Sequence, residues 1–313
     1  MVKKIVRRML KTRGFIENTS IYMFSTIFSF AVSIFVLPIY TRYLSPSDFG
    51  IVVLFIMFGN VSTGFLSVSL HFASYRYYFK YKQELNRYKT LNSTNMFFLL
   101  FVFLLSGIVV YHFSAWFSSK LFDDQLTKKL ILWSYLSGCL EYLILYMMTL
   151  LTAQVHSIPH SLISILRIIL NTAFSLYFIF VHSLTYMARI FAIFLAQGIT
   201  LLCLIPLTFN LFEFRFSLSS LKESLKLSGP LLPQSLIGVI YGAFDKTMLN
   251  KLTGTNSVGF YSFGEKFSLI LKAATDAVDR VWNAYFMNWA HEDSESAKQS
   301  IVNNFYEIGF FLC

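Results

Sequence analysis

Long apolar runs separated by short polar segments dominate the pattern of residues along the chain. Crossing about 30 Å of hydrocarbon takes roughly 20 helical residues, and in lipid only helices or closed barrels satisfy the backbone. The runs are too continuous for the alternating strands of a barrel. Eight are long enough to cross: Ile21 to Tyr40, Gly50 to Phe72, Thr94 to Phe117, Leu130 to Ala153, His160 to His182, Met187 to Phe209, Ser228 to Asn250 and Val258 to Met287. With a ninth run that begins near Phe305, the pattern predicts an all-α integral membrane protein with about eight complete transmembrane helices and the start of a ninth.

The composition agrees with a bilayer environment. Hydrophobic residues make up 56% of the 313 and charged residues 13%, and the mean hydropathy is +0.59, which excludes an ordinary soluble domain. The three cysteines are far apart and the six histidines form no HExxH pattern, so neither a metal site nor a cofactor is expected. The short loops also leave no room for an enzymatic domain outside the membrane, and we expect no enzyme activity.

The net charge of +10 is spread over the segments between the runs, which favours anionic phospholipid over nucleic acid as a partner. Basic residues are concentrated before the first run and after the second, on one side of the membrane, and this bias predicts a cytoplasmic amino terminus. Residues 1–15 combine basic and apolar positions at helical spacing and predict an interfacial amphipathic tail. No A-x-A cleavage site follows, so the first span is expected to be retained.

A short internal repeat indicates how the spans are grouped. The hairpin after the first run is Leu44 to Gly50, and a similar hairpin after the seventh run is Leu252 to Gly259. The offset of about 208 residues corresponds to six spans, so both copies keep the same orientation. The repeat predicts a six-helix lobe over residues 16–212, followed by the beginning of a second, parallel-repeat lobe over residues 213–313.

Five stretches, in a fixed order along the chain, resemble a known family: Pro38 to Gly50, Ala73 to Phe79, Gly229 to Pro233, Asp245 to Lys251 and Val258 to Ser262. They resemble the polysaccharide-transport, or O-antigen flippase, family of the multidrug/oligosaccharidyl-lipid/polysaccharide flippase superfamily. The family has two six-helix lobes around a central cavity, so this chain is expected to hold one whole lobe and the opening of the second.

The resemblance implies a function in the bacterial cytoplasmic membrane. The expected activity is ion-coupled, alternating-access translocation of undecaprenyl-pyrophosphate-linked oligosaccharide for O-antigen (lipopolysaccharide), capsule or exopolysaccharide synthesis. Lipid-linked oligosaccharide is then the substrate, and the polysaccharide polymerase and chain-length machinery are further expected partners. Two alternatives stay open: a multidrug or cation antiporter of related fold, and a membrane-embedded polysaccharide polymerase or acyltransferase.

Charged residues within the apolar runs are the candidates for this chemistry, because each costs roughly 2.5 to 3.5 kcal/mol at mid-bilayer. The eighth run carries most of them on one helical face, which should line water or a partner helix. Lys272 and Lys266 are candidates for the anionic head group of the substrate, and Asp276 for the coupling ion. The competing interpretation pairs Lys272 with Asp276 and Asp279.

Two further candidate pairs lie at similar depth in the seventh and eighth runs. Asp245 and Glu265 are candidates for ion coupling or gating, and Lys246 for substrate binding. Ion pairs between the two helices would suit a gate that opens as the lobes move, although a static link between the helices explains the same spacing.

In the first lobe, Glu141 lies near the middle of the fourth run and must be protonated or paired there. It is a candidate for proton coupling, or else a residue that only forms a hydrogen bond to a Tyr or Ser of a neighbouring helix. Arg167, about 10 Å into the fifth run, is a candidate for substrate binding.

Overall fold

Helices account for all the regular structure of the described residues. The computed structural model describes residues 2–122, 126–182 and 184–265, and in addition Asp279, Trp282, Asn283, Phe286, Met287 and Val302. Within these ranges, residues 2–16, 121 and 239 are described by their backbone alone. The helices are α1 (Val2–Tyr43), α2 (Pro46–Leu66), α3 (Leu70–Lys80), α4 (Leu85–Phe122), α5 (Lys128–Ala153), α6 (Ser157–His182), α7 (Tyr186–Thr208), α8 (Leu218–Ser228), α9 (Leu232–Thr253) and α10 (255–265). Two 3-10 turns, Phe209–Leu211 and Gly229–Leu231, flank α8.

Seven helical segments in this part of the chain are long and apolar enough to cross a membrane. The predicted all-α, multi-pass class is therefore confirmed. The eighth predicted run begins in α10 and continues mostly outside the described residues, and the ninth lies outside them. The basic tail and the first span form one continuous helix, α1, while the interfacial position of the tail stays a prediction.

Consecutive long helices alternate in direction, so the loops lie on two sides of the bundle. On the side that carries the start of α1, Ser157 Oγ donates a hydrogen bond to Asn18 Oδ1 over 2.6 Å. On the opposite side the rings of Tyr43 and Phe180 meet edge to face with centroids 5.1 Å apart. We call these the amino-terminal side and the far side.

The second predicted span is not one helix, which corrects the continuous run from Gly50 to Phe72. Val68 and Ser69 adopt left-handed backbone conformations with φ of 46° and 53°, and α2 ends before them. Contacts from other helices support this break: Tyr142 Oη accepts the amide N–H of His71 at 3.3 Å, and Ser69 Oγ lies 2.7 Å from Ser235 Oγ of α9. Such a break is tolerated at membrane depth where protein groups replace the lost helical hydrogen bonds.

A fully buried polar network ties α3, α4 and α5 together. Ser74 Oγ donates to Asn92 Oδ1 over 2.9 Å and also contacts the hydroxyl of Tyr146. Asn92 Nδ2 donates to the carbonyl of Leu211 over 3.2 Å, which fixes the turn after α7. Because unpaired polar groups are costly away from water, this network specifies the packing of the three helices. Ser74, Tyr88, Asn92, Asn95 and Tyr146 all have 0% exposure.

The linker helix α8 is held against the first lobe by one carboxylate. Glu223 Oε1 accepts a hydrogen bond from Lys80 Nζ at 2.8 Å and another from the hydroxyl of Tyr81, and Arg87 Nη2 lies 3.5 Å from Glu223 Oε2. The hydrogen bond to Glu223 raises the pKa of Lys80 above its ordinary value. The contact links the connection between the lobes to the α3–α4 turn.

The two repeated hairpins pack against each other on the far side. A Cβ placed on Gly50 would overlap the carbonyl oxygen of Thr255, and one placed on Gly259 would overlap that of Pro46. Pro46 and Thr255 are 209 positions apart, and so are Gly50 and Gly259. The contact is therefore reciprocal, as expected where two equivalent helix starts meet across an approximate two-fold axis. Small residues at such crossings let backbones in the membrane approach closely.

This contact leads to a stability prediction. Gly259→Ala should lower the melting temperature relative to Gly264→Ala, because only the first Cβ meets another backbone, whereas nothing lies within 4 Å of a Cβ at Gly264. Both positions are in α10, so each substitution gains the same helix propensity, about 1 kcal/mol. The overlap at Gly259 should cost a further ~1–3 kcal/mol. Thermal unfolding of the detergent-purified proteins measures the difference, and equal melting temperatures would contradict the close crossing.

Candidate functional site

An ion pair between Glu141 and Arg167 joins the middle of α5 to the middle of α6. Arg167 Nη2 donates to Glu141 Oε2, and Gln197 Nε2 donates to the same oxygen over 3.2 Å. Gln197 is held in turn by Ser137, whose Oγ donates to Gln197 Oε1 over 3.1 Å. The side chain of Glu141 is 34% exposed and that of Arg167 is 36% exposed. The pair is thus neutralised within the protein and still accessible from a cavity.

The positions of these groups follow from local sequence spacing and one close helix crossing. Ser137 and Glu141 are four residues apart on α5, so they lie on one helical face. Gly59 of α2 and Gly138 of α5 have no side chains between them, and a Cβ on Gly138 would overlap the carbonyl oxygen of Gly59. The close approach of α2 and α5 brings Asn60 to the polar face that carries Glu141.

A cavity of about 580 Å³ extends from the ion pair towards the amino-terminal side. Its lining combines polar groups, which are Arg167, Glu141 and hydroxyl groups of α5 and α6, with apolar side chains. Asn283 and Met287, which belong to the predicted second lobe, also line the cavity. We call it the interlobe cavity. Its other lining residues are His71, Phe72, Tyr75, Ile144, Leu145, Met148, Thr149, Thr152, His160 and Ser164.

A second cavity, of about 190 Å³, lies on the far side of the same ion pair. Its walls come from α2, α5, α6 and α7, all within the first lobe, and we call it the lobe cavity. Arg189 of α7 lines it and donates hydrogen bonds to Tyr40 Oη at 2.7 Å and to Asn171 Oδ1 at 3.2 Å. The Arg189 guanidinium also stacks 4.5 Å from the centre of the Tyr40 ring.

The candidates of the second lobe form contacts of their own. Lys246 Nζ lies 2.8 Å from Glu265 Oε2, which joins α9 to α10 by an ion pair. The hydroxyl of Tyr261 donates to Asp245 Oδ2 over 3.2 Å. Neither contact tests a role in gating, ion coupling or substrate binding, and these roles stay predictions. Lys266, Lys272 and Asp276 lie outside the described residues.

Glu141 and Arg167 are separate candidates in the sequence, and the structure brings them together. Arg189, Asn171 and Gln197 are not among the residues predicted from the sequence. Helical spacing carried a usable signal, because Arg167 and Asn171 are four residues apart on α6, and Arg189 and Gln197 are eight apart on α7. Arg189 is close to the start of its span and resembled an ordinary interfacial anchor.

The ion pair leads to a prediction that distinguishes a contact between two charges from a hydrogen bond between neutral polar groups. Glu141→Gln should lower the free energy of unfolding by about 1–3 kcal/mol, because Arg167 keeps its charge and loses the carboxylate. Adding Arg167→Met should recover part of the loss, since the uncompensated charge is then removed. Arg215→Gln is the control: its pair with Glu213 leaves Arg215 72% exposed, so its effect should stay within about 0.5 kcal/mol. Denaturation of the four purified proteins measures these energies, and a double variant less stable than Glu141→Gln would argue against the pair.

Comparison with known proteins assigns the chain to a family. The family model described as polysaccharide biosynthesis protein matches residues 15–274. The chain therefore belongs to the polysaccharide biosynthesis protein family, as the sequence resemblance predicted. No curated protein matches the sequence.

Two solved structures share the fold. A mutant of the Vibrio cholerae MATE transporter VcmN is similar with a TM-score of 0.61 and 13% identity, over 93% of this chain and 68% of that one. The MATE transporter ClbM in complex with a rubidium ion is similar with a TM-score of 0.54 and 17% identity, over 98% of this chain and 68% of that one. At these identities the similarity is evidence for the fold alone.

Proposed function

We propose that this member of the polysaccharide biosynthesis protein family translocates undecaprenyl-pyrophosphate-linked oligosaccharide across the bacterial cytoplasmic membrane, by ion-coupled alternating access. The observation that carries the proposal is the mixed lining of the interlobe cavity, which contains Arg167 together with several apolar side chains. An amphipathic lipid with an anionic head group matches such a lining.

The head group belongs at Arg167 in this proposal. A guanidinium offers a planar fork of donors that fits phosphate oxygens, and it remains charged at any physiological pH. In the proposal the isoprenoid chain packs against Phe72, Leu145 and Met148, which are apolar side chains of the same cavity. Lys272, which lies outside the described residues, is predicted from the sequence to bind the same head group. We therefore keep Lys272 as a second proposed phosphate ligand.

Competition for Arg167 gives a reason for ion coupling. The guanidinium is bonded to Glu141, and a pyrophosphate that takes over its donors weakens that bond. Substrate at Arg167 and the Glu141–Arg167 bond then compete, so any coupling ion that Glu141 binds is thermodynamically linked to the occupancy of Arg167 by substrate.

The direction of access is also part of the proposal. On the far side the repeated hairpins are in close contact at Gly50 and Gly259, whereas the interlobe cavity extends towards the amino-terminal side. With a cytoplasmic amino terminus, this arrangement corresponds to a carrier that loads its substrate from the cytoplasm. Release on the other side requires the hairpin contact to separate.

A cation antiporter is the second candidate function. It is favoured by the fold shared with MATE transporters and by a carboxylate, Glu141, at the edge of a cavity. It is disfavoured by Arg167, which neutralises that carboxylate and repels cations from the same wall.

Complementation separates these functions. In a strain that lacks its own translocase, the full chain should restore surface polysaccharide, and Arg167→Gln should reduce the restored amount at least tenfold because it removes the proposed head-group ligand. Arg215→Gln, an exposed arginine of the linker, should restore it fully. Lys272→Ala tests the second ligand in the same assay.

A vesicle assay gives the deciding outcome. Reconstituted protein should expose lipid-linked oligosaccharide to an impermeant glycosidase on the opposite leaflet. Proteoliposomes that leave the oligosaccharide protected but exchange organic cations for protons would replace the proposal with the antiporter.

A further inference from the structure

The lobe cavity carries an excess positive charge. Two guanidinium groups, those of Arg167 and Arg189, line it together with one carboxylate, that of Glu141. Glu141 is already bonded to Arg167 and Gln197. Arg189 binds only neutral acceptors, the hydroxyl of Tyr40 and the amide oxygen of Asn171, and no carboxylate of the described residues forms an ion pair with it.

An uncompensated charge among apolar helices is costly, so a polar space beside it favours a counter-ion. The cavity provides that space, because its volume is about 190 Å³ and one water molecule needs only about 10–15 Å³. Arg189 has five N–H donors, and only those on Nη1 are bonded to Tyr40 and Asn171. Amide groups of Asn60 and Gln197 in the same wall supply additional neutral polar contacts.

We propose that the lobe cavity binds one monovalent inorganic anion of the halide class beside Arg189. The net charge of the lining groups is one positive charge, which a monovalent anion cancels and a divalent phosphate would reverse. Arg189 lines the lobe cavity and not the interlobe cavity that the proposed substrate enters, whereas Arg167 and Glu141 line both. The anion therefore completes the lobe and is not cargo, and its presence does not depend on which substrate the protein carries.

Binding to the folded state alone raises the melting temperature as the ligand saturates. The purified full chain in detergent should melt about 2–5 °C higher in sodium chloride than in sodium gluconate of the same ionic strength, with saturation as chloride increases. Arg189→Gln should abolish the difference. Lys129→Gln removes a far-side cation that stacks on Trp133, 4.8 Å from the ring centre, and should keep it.

A charge-supplying variant keeps the test independent of any folding defect in Arg189→Gln. Asn171→Asp places a carboxylate where an amide oxygen now lies 3.2 Å from Arg189 Nη1. This variant should melt in gluconate near the temperature of the wild type in chloride, and chloride should no longer raise it. A purely structural role for Arg189 predicts no chloride response in the wild type, so it cannot account for a response that is present in the wild type and lost in Asn171→Asp.

Three results would overturn the proposal. They are identical melting of the wild type in chloride and gluconate, a chloride response that survives in both Arg189→Gln and Asn171→Asp, and stabilisation by phosphate that exceeds that by chloride at equal concentration.

Discussion

Every charge that enters this bundle has to be matched inside the protein, because the surrounding lipid offers neither water nor counter-ions. The Glu141–Arg167 pair meets this constraint in the first lobe and fixes how α5 and α6 face each other. Gln197 extends the match to α7, since its amide donates to the same carboxylate oxygen. The three helices consequently share one polar face, and the cavities on either side of the pair are lined by it. The site is thus a consequence of charge compensation as much as of helix packing.

Helix α2 connects this polar centre to the second lobe. Its middle packs against α5 at the crossing of Gly59 and Gly138, and its start packs against α10 where Gly50 meets Thr255. The break that follows α2 is bonded to α9 through Ser69 and Ser235. Both ends of α2 therefore contact α9 or α10, and its middle contacts the helix that carries Glu141.

The sequence predicted the membrane class and pointed to Glu141 and Arg167, which the structure joins in an ion pair, because long apolar runs and mid-span charges are strong local signals. The lobe boundary and the functional roles of the two residues stay predictions. The sequence also located the repeated hairpins, whose contact then appeared in the structure at Gly50 and Gly259. It did not predict the interruption after α2, since Val68 has no local preference for a left-handed conformation and the break depends on Tyr142 from another helix. Arg189 was missed for a related reason: its importance comes from the lack of a carboxylate across the bundle among the described residues, and sequence distance does not encode that.

Burial distinguishes the polar residues that pack the helices of the first lobe from those that a ligand can reach. The network of Ser74, Asn92 and Tyr146 contains many polar groups, but it is completely enclosed and its members bond to one another. Such groups cannot reach a ligand unless the lobe unfolds locally, so their contribution is to the packing of α3, α4 and α5. Glu141 and Arg167 are about one third exposed, and each lines both cavities. A ligand can therefore compete for them without disrupting the fold. Although α3 and α4 carry the denser set of polar side chains, the accessible ion pair and the amide bonded to it lie on α5, α6 and α7.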